Sequence, residues 1–354
     1  LIYIFSFIVV LGILIFVHEF GHFIVARLIG IEVQKFSLGF GPRLAGFKRG
    51  ETEYLVSAIP FGGYVKLLGE TPEDDVSPEK EDRSFSHRPP LHKLLVVLAG
   101  PGFNIVFAAF VFWFIFMAGM PVLKPVVGQV IEGSPAEKAG LVKGDEIIEI
   151  DGVPVSRWED VAKVIKEKGA GKLLVLKVKR GGEVVEVSLA PELRIVKNLF
   201  GEEVKEPKIG IVASGDFEIR RYDPFNAFFL GIRETGKLIY LTVMTVVKLV
   251  ERVVPLKSLG GPILIAQLAG DQAKQGPMPF FYFLALLSVN LGILNLLPIP
   301  ILDGGHIMIY SIEAVTGREM SMKVRGIVQQ IGLVIIITLA VLVFYNDIAR
   351  IFTK

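Results

Sequence analysis

The 354-residue chain contains no cysteine, which removes disulfides and thiolate metal ligands together, so any metal site must be built from His, Asp or Glu. Charge is scarce as well: 21% of residues are Asp, Glu, Lys or Arg, and the formal net charge is only +2. With no basic patch interleaved with aromatics, a nucleic-acid partner is excluded. What takes their place is apolar. The chain is 52% hydrophobic and holds 26 Phe, a balance that a soluble domain would struggle to keep in solution. The composition therefore predicts a membrane protein, with the lipid bilayer as its first partner. The opening apolar run lacks the basic start and small-residue exit of a signal peptide, and is expected to stay as a spanning helix.

Histidine is rare too, with five in all, yet two of them stand four apart inside that first apolar run, in Val17-His18-Glu19-Phe20-Gly21-His22. On a helix, residues four apart are offset by about 40° and about 6 Å, so His18 and His22 share a face and can share one metal ion. Glu19 lies about 100° round from His18, beside the ion rather than pointing at it. In the His-Glu-x-x-His arrangement two neutral imidazoles bind zinc and the glutamate takes a proton from water at the metal. Ionisable groups within a membrane helix cost roughly 2.5–3.5 kcal/mol each, so they are kept mainly where they pair, bind or react.

Four spans are expected. The first covers residues 1–29, the second about 94–120, the third starts near Phe280, and the fourth covers roughly 327–344. Between the first two, residues 31–69 carry β-like runs at 33–40 and 54–59 punctuated by glycine, either a cytoplasmic hairpin or a loop that dips into the membrane. This loop, with Val56 and Ala58 in its second run, is expected to offer a strand edge to substrate near the zinc. Residues 70–93 form a solvated linker with an acidic part that includes Glu73 and Asp75. Its histidines, His87 and His92, share no helical face with a second ligand. Asn104, in Gly100-Pro101-Gly102-Phe103-Asn104, must be hydrogen-bonded inside the membrane; it is helix glue or a support of the site on the substrate side.

The character then changes. Residues 125–191 are expected to form a separate α/β module, 192–275 a connector with an amphipathic helix near 223–254, and 276–354 the last two spans, with 1–120 as the first membrane segment. The charges of the 223–254 stretch fall on one face, so it should lie in the interface or on the protein rather than cross lipid. The third span runs into Asn295-Leu296-Leu297-Pro298-Ile299-Pro300-Ile301-Leu302-Asp303-Gly304-Gly305-His306. The prolines break the helix, so an extended approach to Asp303 is expected. Asp303 is the natural third zinc ligand, with His306 as competitor.

The module's Gly133-Ser134-Pro135-Ala136-Glu137-Lys138-Ala139-Gly140-Leu141 and Gly144-Asp145-Glu146-Ile147-Ile148 resemble a PDZ domain of the bacterial kind. That likeness implies a peptide groove along Val126, Val127, Gly128, Gln129 and Val130. Taken together with the zinc motif, Gly62-Gly63-Tyr64-Val65-Lys66 and Leu302-Asp303-Gly304, the chain resembles the site-2 proteases, intramembrane zinc metalloproteases, over nearly its whole length. The resemblance implies one zinc per chain held by His18, His22 and Asp303, Glu19 as base, and Asn295 as a buried amide at the substrate. It also implies a monomer in the bacterial inner membrane that cuts pre-trimmed single-span proteins, such as anti-sigma factors or signal-peptide remnants. Both termini and the PDZ module would be extracytoplasmic and residues 30–93 cytoplasmic, as the placement of Arg27, Arg88, Lys93, Arg318, Lys323 and Arg325 suggests. The competing class is a membrane scaffold that binds partners through the module; the intact Glu19 speaks against it.

Overall fold

A computed structural model describes residues 1–71, 74, 76–318 and 320–352; Pro72, Glu73 and Asp75 of the expected linker lie outside the described residues. In chain order the elements are α1 (Ile2–Leu28), β1 (Val33–Arg49), β2 (Thr52–Leu67), α2 (Pro90–Ala118), β3 (Met120–Leu123), β4 (Val127–Val130), α3 (Pro135–Lys138), β5 (Glu146–Ile150), β6 (Val153–Pro154), α4 (Trp158–Lys168), β7 (Leu174–Arg180), β8 (Glu183–Leu189), β9 (Glu192–Lys197), β10 (Glu203–Lys208), β11 (Ile211–Ala213), β12 (Phe217–Arg220), α5 (Pro224–Val250), α6 (Pro262–Gln275), α7 (Pro277–Asn295), α8 (Asp303–Thr316) and α9 (Met322–Phe352). The chain divides into two compact units, one of residues 1–115, 224–249 and 255–354, the other of 116–223 and 250–254.

In the first unit, α1, α2, α7 and α9 are long and apolar enough to cross a membrane. Val10 and Leu14 of α1 pack with Phe283 and Leu284 of α7, and His18 reaches Asn295 at the end of α7, so these two helices run in the same direction. Helix α2 runs the other way. Its Phe112 meets Tyr282, its Asn104 backbone carbonyl accepts from Ser288 Oγ at 2.8 Å, and its Pro101 faces Gly292.

Helix α5 ends at Val250, short of the expected 254, and packs against α7. Glu234 Oε1 accepts from Tyr282 Oη at 3.1 Å and Thr242 Oγ1 donates to Asn290 Oδ1 at 2.7 Å. The two contacts are eight residues apart on both helices, so α5 follows α7 in the same direction. Helix α6 was not anticipated, because its apolar run is short and glycines flank it. Asp347 of α9 completes it, accepting from the otherwise unpaired N–H groups of Gly261, Ile263 and Leu264 at 3.0, 2.9 and 3.2 Å.

The β-rich loop after α1 is more elaborate than a hairpin. Strands β1 and β2 are antiparallel partners whose register passes through bulges, so each residue near the middle finds two neighbours. Phe36 pairs with both Val65 and Tyr54, Leu38 with both Gly63 and Val56, and Val56 with both Leu38 and Ala45. The result is a sheet of four segments in the order 43–49, 52–59, 33–40, 63–67. Ser37 and Ser57, both buried, join its interior through their hydroxyls at 3.0 Å. Apolar packing of Phe36, Val33 and Leu67 against Phe23, Val96, Val97 and Ile309 fixes the sheet to α1, α2 and α8. The expectation that Val56 and Ala58 form an exposed edge is corrected here: their segment lies inside the sheet, and the outer segments are 43–49 and 63–67.

The second unit carries the four-stranded sheet β6-β5-β7-β8, closed over α4 by a core of Val127, Ile147, Ile150, Val161, Ile165, Leu176 and Val178. Asp145, with its side chain fully buried, takes both oxygens to Arg180 at 2.7 Å and accepts from Val142 N at 2.9 Å. Burial alone would raise its pKa, but these donors prevail and hold the carboxyl below the usual carboxylate range. Strand β4 pairs with β11, which lies beyond residue 191, so the folded module reaches at least to Ala213.

That pairing also corrects the expected groove. On its other side Val126 bridges Glu146, Val127 N donates to Asp145 O at 2.8 Å, and Gly144 N donates to Val127 O at 2.8 Å. Val127 is fully buried. Held on both sides, Val126 and Val127 offer no edge to a peptide strand; β11, paired only with β4 among the described strands, retains one.

Candidate metal and proteolytic site

The apolar first helix delivers His18 and His22 to one face, as their spacing requires. The third member comes from the other end of the chain. Helix α7 ends at Asn295, and residues 296–302 form tight turns, with Leu296 N donating to Ile293 O at 3.1 Å and Ile299 N to Leu297 O at 2.7 Å. The expected extended approach is therefore confined to Leu302, whose φ and ψ are −93° and 166°. The prolines end the helix as anticipated, but the freed carbonyls fold back over α8. A Cβ on Gly304 would lie 2.1 Å from Leu297 O and one on Gly305 2.4 Å from Pro300 Cα, so only glycine lets the first turn of α8 nest under the loop. This places Asp303 at the start of α8, where the helix end favours a carboxylate.

The three side chains converge. Asp303 Oδ2 lies 3.1 Å from His18 Nε2, Asp303 Oδ1 lies 3.5 Å from His22 Nε2, and the two Nε2 atoms are 3.3 Å apart. One nitrogen from each histidine and one carboxylate oxygen all fall within 4.8 Å of one another. No other group of three such residues is found among the described residues. The donor set, two imidazoles and one carboxylate, is that of a zinc site with a position left for water or substrate. His306 is not in it; it stacks on Tyr310 with ring centroids 6.1 Å apart. His87 turns its Nδ1 to Ser84 Oγ at 2.8 Å.

The far nitrogens of the two ligands are held as well. His22 Nδ1 lies 2.8 Å from Val96 O. A carbonyl can only accept, so Nδ1 carries the proton and Nε2 keeps its lone pair for a metal. His18 Nδ1 faces the side-chain amide of Asn104 at 3.0 Å, and Asn295 Nδ2 lies 3.4 Å from His18 Nε2. Of the residues expected on the substrate side, Asn104 and Asn295 are thus at the site, whereas Val56 and Ala58 are inside the sheet.

Glu19 stands apart from the ligand group and lies against the 63–67 segment, where a Cβ on Gly63 would come within 3.0 Å of its Cγ. Two contributors escaped the sequence reading. Val96 acts through its backbone, which no residue type signals. Gly100 sits directly over the site: a Cβ there would lie 2.2 Å from His22 Nε2 and 2.9 Å from His18 Cε1. The signal was present in Gly100-Pro101-Gly102, since glycine beside proline within an apolar helix marks a close approach.

The model of peptidase family M50 matches residues 6–339. Over 98% of its length the chain is 37% identical to Atu1380 of Agrobacterium fabrum, provisionally named as a zinc metalloprotease, covering 96% of that protein. It is 32% identical to the regulator of sigma-E protease RseP of Escherichia coli, with 98% of each chain covered. That alignment runs over 444 positions, so the E. coli protein carries insertions that this 354-residue chain lacks, in keeping with the single PDZ-like module found here. Among solved structures, the chain is similar to the PDZ domain of an SdrC-like protein of Listeria innocua, at 30% identity, covering 25% of this chain and 92% of that one, with a TM-score of 0.21. With its His-Glu-x-x-His helix and distant aspartate gathered at one point between membrane helices, the chain belongs to peptidase family M50 and is an intramembrane zinc metalloprotease.

Proposed function

We propose that the chain binds one zinc through His18, His22 and Asp303 and cleaves the membrane segments of single-span proteins already shortened outside the membrane. The observation that carries this reading is the convergence of those three side chains between membrane helices, with Glu19 alongside. Bound there, zinc supplies a Lewis acid that polarises the scissile carbonyl and makes water a better nucleophile near neutral pH. Glu19 takes the proton of the attacking water as it adds to the carbonyl carbon, and passes it to the amide nitrogen as the C–N bond breaks. Asn295, a donor beside His18, is placed to hydrogen-bond the oxygen on which negative charge grows. The test is cleavage of a single-span peptide by the purified protein, with the product bond located by mass spectrometry; absence of cleavage by zinc-loaded protein contradicts the reading.

A membrane helix hides its carbonyls, so substrate has to be held extended before attack. The 63–67 segment is the edge for this: it ends the sheet on one side, and Gly63 adjoins Glu19. Strand pairing predicts that replacing backbone amides of the substrate beside the scissile bond with esters, which removes donors without changing side chains, lowers kcat/KM by about tenfold for each bond lost. Unchanged cleavage of the ester series would dismiss the edge.

The protein is read as acting in the bacterial inner membrane as a monomer, with both termini and the PDZ-like module extracytoplasmic and residues 30–93 cytoplasmic. The common direction of α1 and α7, opposed by α2, supports a single intervening crossing between those two helices, which returns the Asp303 loop to the side of the membrane where α1 ends. Reporter fusions placing the module in the cytoplasm would refute the orientation. The module holds no histidine and acts by restricting which substrates enter. Because β4 pairs with β11, its removal has to take residues 126–213 together. That deletion, closed by a short linker, is expected to leave zinc binding and cleavage of trimmed substrate intact while untrimmed substrate becomes cleavable; unaltered discrimination would show that the module has another task.

A further inference from the structure

We infer that Asn104 is a positioning residue for the zinc ligand His18, holding its Nδ1 proton so that Nε2 is presented to the metal. The inference rests on the zinc reading above and extends it to a residue outside the ligand set.

Asn104 is fully buried, and its surroundings hold it in place. Its backbone carbonyl accepts from Ser288 Oγ, itself fully buried, and its Cβ faces Gly292 of α7, where an added Cβ would lie 3.4 Å away. Helix glue is therefore supplied by its main chain and by packing, neither of which needs a side-chain amide. The amide points elsewhere, to His18 Nδ1 at 3.0 Å. As it stands, Nδ2 is the atom facing Nδ1, and Oδ1 is buried with no hydrogen-bond partner. A buried acceptor without a donor is costly.

A histidine that gives Nε2 to a metal carries its one proton on Nδ1 and needs an acceptor there. His22 shows the rule in the same site, with Val96 O at 2.8 Å from its Nδ1. Among the described residues, the side-chain group at His18 Nδ1 that can accept is the oxygen of Asn104, brought round by turning the amide over about χ2, a choice that heavy-atom positions alone leave open. The two ligands are then supported differently. The peptide backbone fixes His22 and cannot be mutated away, whereas His18 depends on one side chain 86 residues distant in sequence.

The experiment is zinc competition against a chelator in purified full-length protein, comparing wild type with Asn104→Leu, Asn104→Ala and Asn104→Asp, together with the thermal unfolding of each in metal-free form. Leucine keeps the volume and removes the acceptor; aspartate keeps the acceptor. Loss of such a partner weakens a metal site by about 10–100-fold, and that loss is expected for Asn104→Leu and Asn104→Ala, with Asn104→Asp within about threefold of wild type. The metal-free unfolding temperatures are expected to differ far less between Leu and Asp than their zinc affinities do. Should Asn104→Leu fail to fold, the Ala and Asp pair decides alone. Zinc affinity of Asn104→Leu or Asn104→Ala equal to wild type, or Asn104→Asp as weak as they are, overturns the role of Asn104 alone. Wild type that holds no zinc overturns the metal reading with it.

Discussion

Asp303→Asn is expected to lose bound zinc and cleavage together. The substitution keeps the shape of the side chain at the head of α8 but withdraws the anionic oxygens that lie 3.1 and 3.5 Å from the two histidines. Two imidazoles on one helix face are a weak site by themselves, and Asp303 is the sole carboxylate in the converging group. The fall in zinc affinity should exceed the roughly 10–100-fold typical of losing a supporting partner, because here a ligand itself is removed. His22→Ala is expected to do the same. Zinc content by mass spectrometry and peptide cleavage, read on the same preparation, check both. An Asp303→Asn protein that keeps wild-type zinc would remove this residue from the ligand set.

Glu19→Gln separates chemistry from metal binding. Glu19 follows His18 in sequence but is not one of the three converging ligands and lies beside Gly63, so the amide should leave zinc content unchanged. What it cannot do is accept a proton from water and deliver it to the leaving nitrogen. General acid–base catalysis of this sort contributes on the order of 10²–10⁴-fold, so kcat should fall by about 10³-fold, some 4 kcal/mol of barrier. The loss should appear in kcat rather than KM, since glutamine keeps the volume beside the 63–67 edge. A variant that loses zinc as fully as Asp303→Asn would make Glu19 a structural neighbour of the metal instead of its base.

How far these residues could be found in the sequence follows from the kind of interaction each makes. His18, Glu19 and His22 are legible because helix periodicity alone places them. Asp303 is legible by chemistry, as a carboxylate at a proline-broken helix end inside an apolar region, though the turns that carry it there are set by contacts of Gly304 and Gly305 that no local pattern specifies. The β-loop was visible as two short runs, but its order was not. Bulges let β1 and β2 meet twice, which gives Val56 a strand neighbour on both sides and moves the outer segment to 63–67. The module's groove was misplaced for a related reason. Val126 and Val127 look like part of an edge strand until β11, some eighty residues later, pairs on one side and Asp145 and Glu146 take the other. Helix α6 was missed because Asp347, its cap, lies on a different helix altogether.

The central claim is that His18, His22 and Asp303 hold a zinc with which this chain cuts a peptide bond inside the membrane. Its most direct test is cleavage of a trimmed single-span peptide by purified wild-type protein before chelation, after chelation, and after zinc is returned in measured amounts. The account predicts a cut within the apolar segment that disappears with the metal and returns in proportion to zinc, reaching its plateau at about one ion per chain. Cleavage that persists in metal-free protein, or its absence from protein carrying a full complement of zinc, would contradict it.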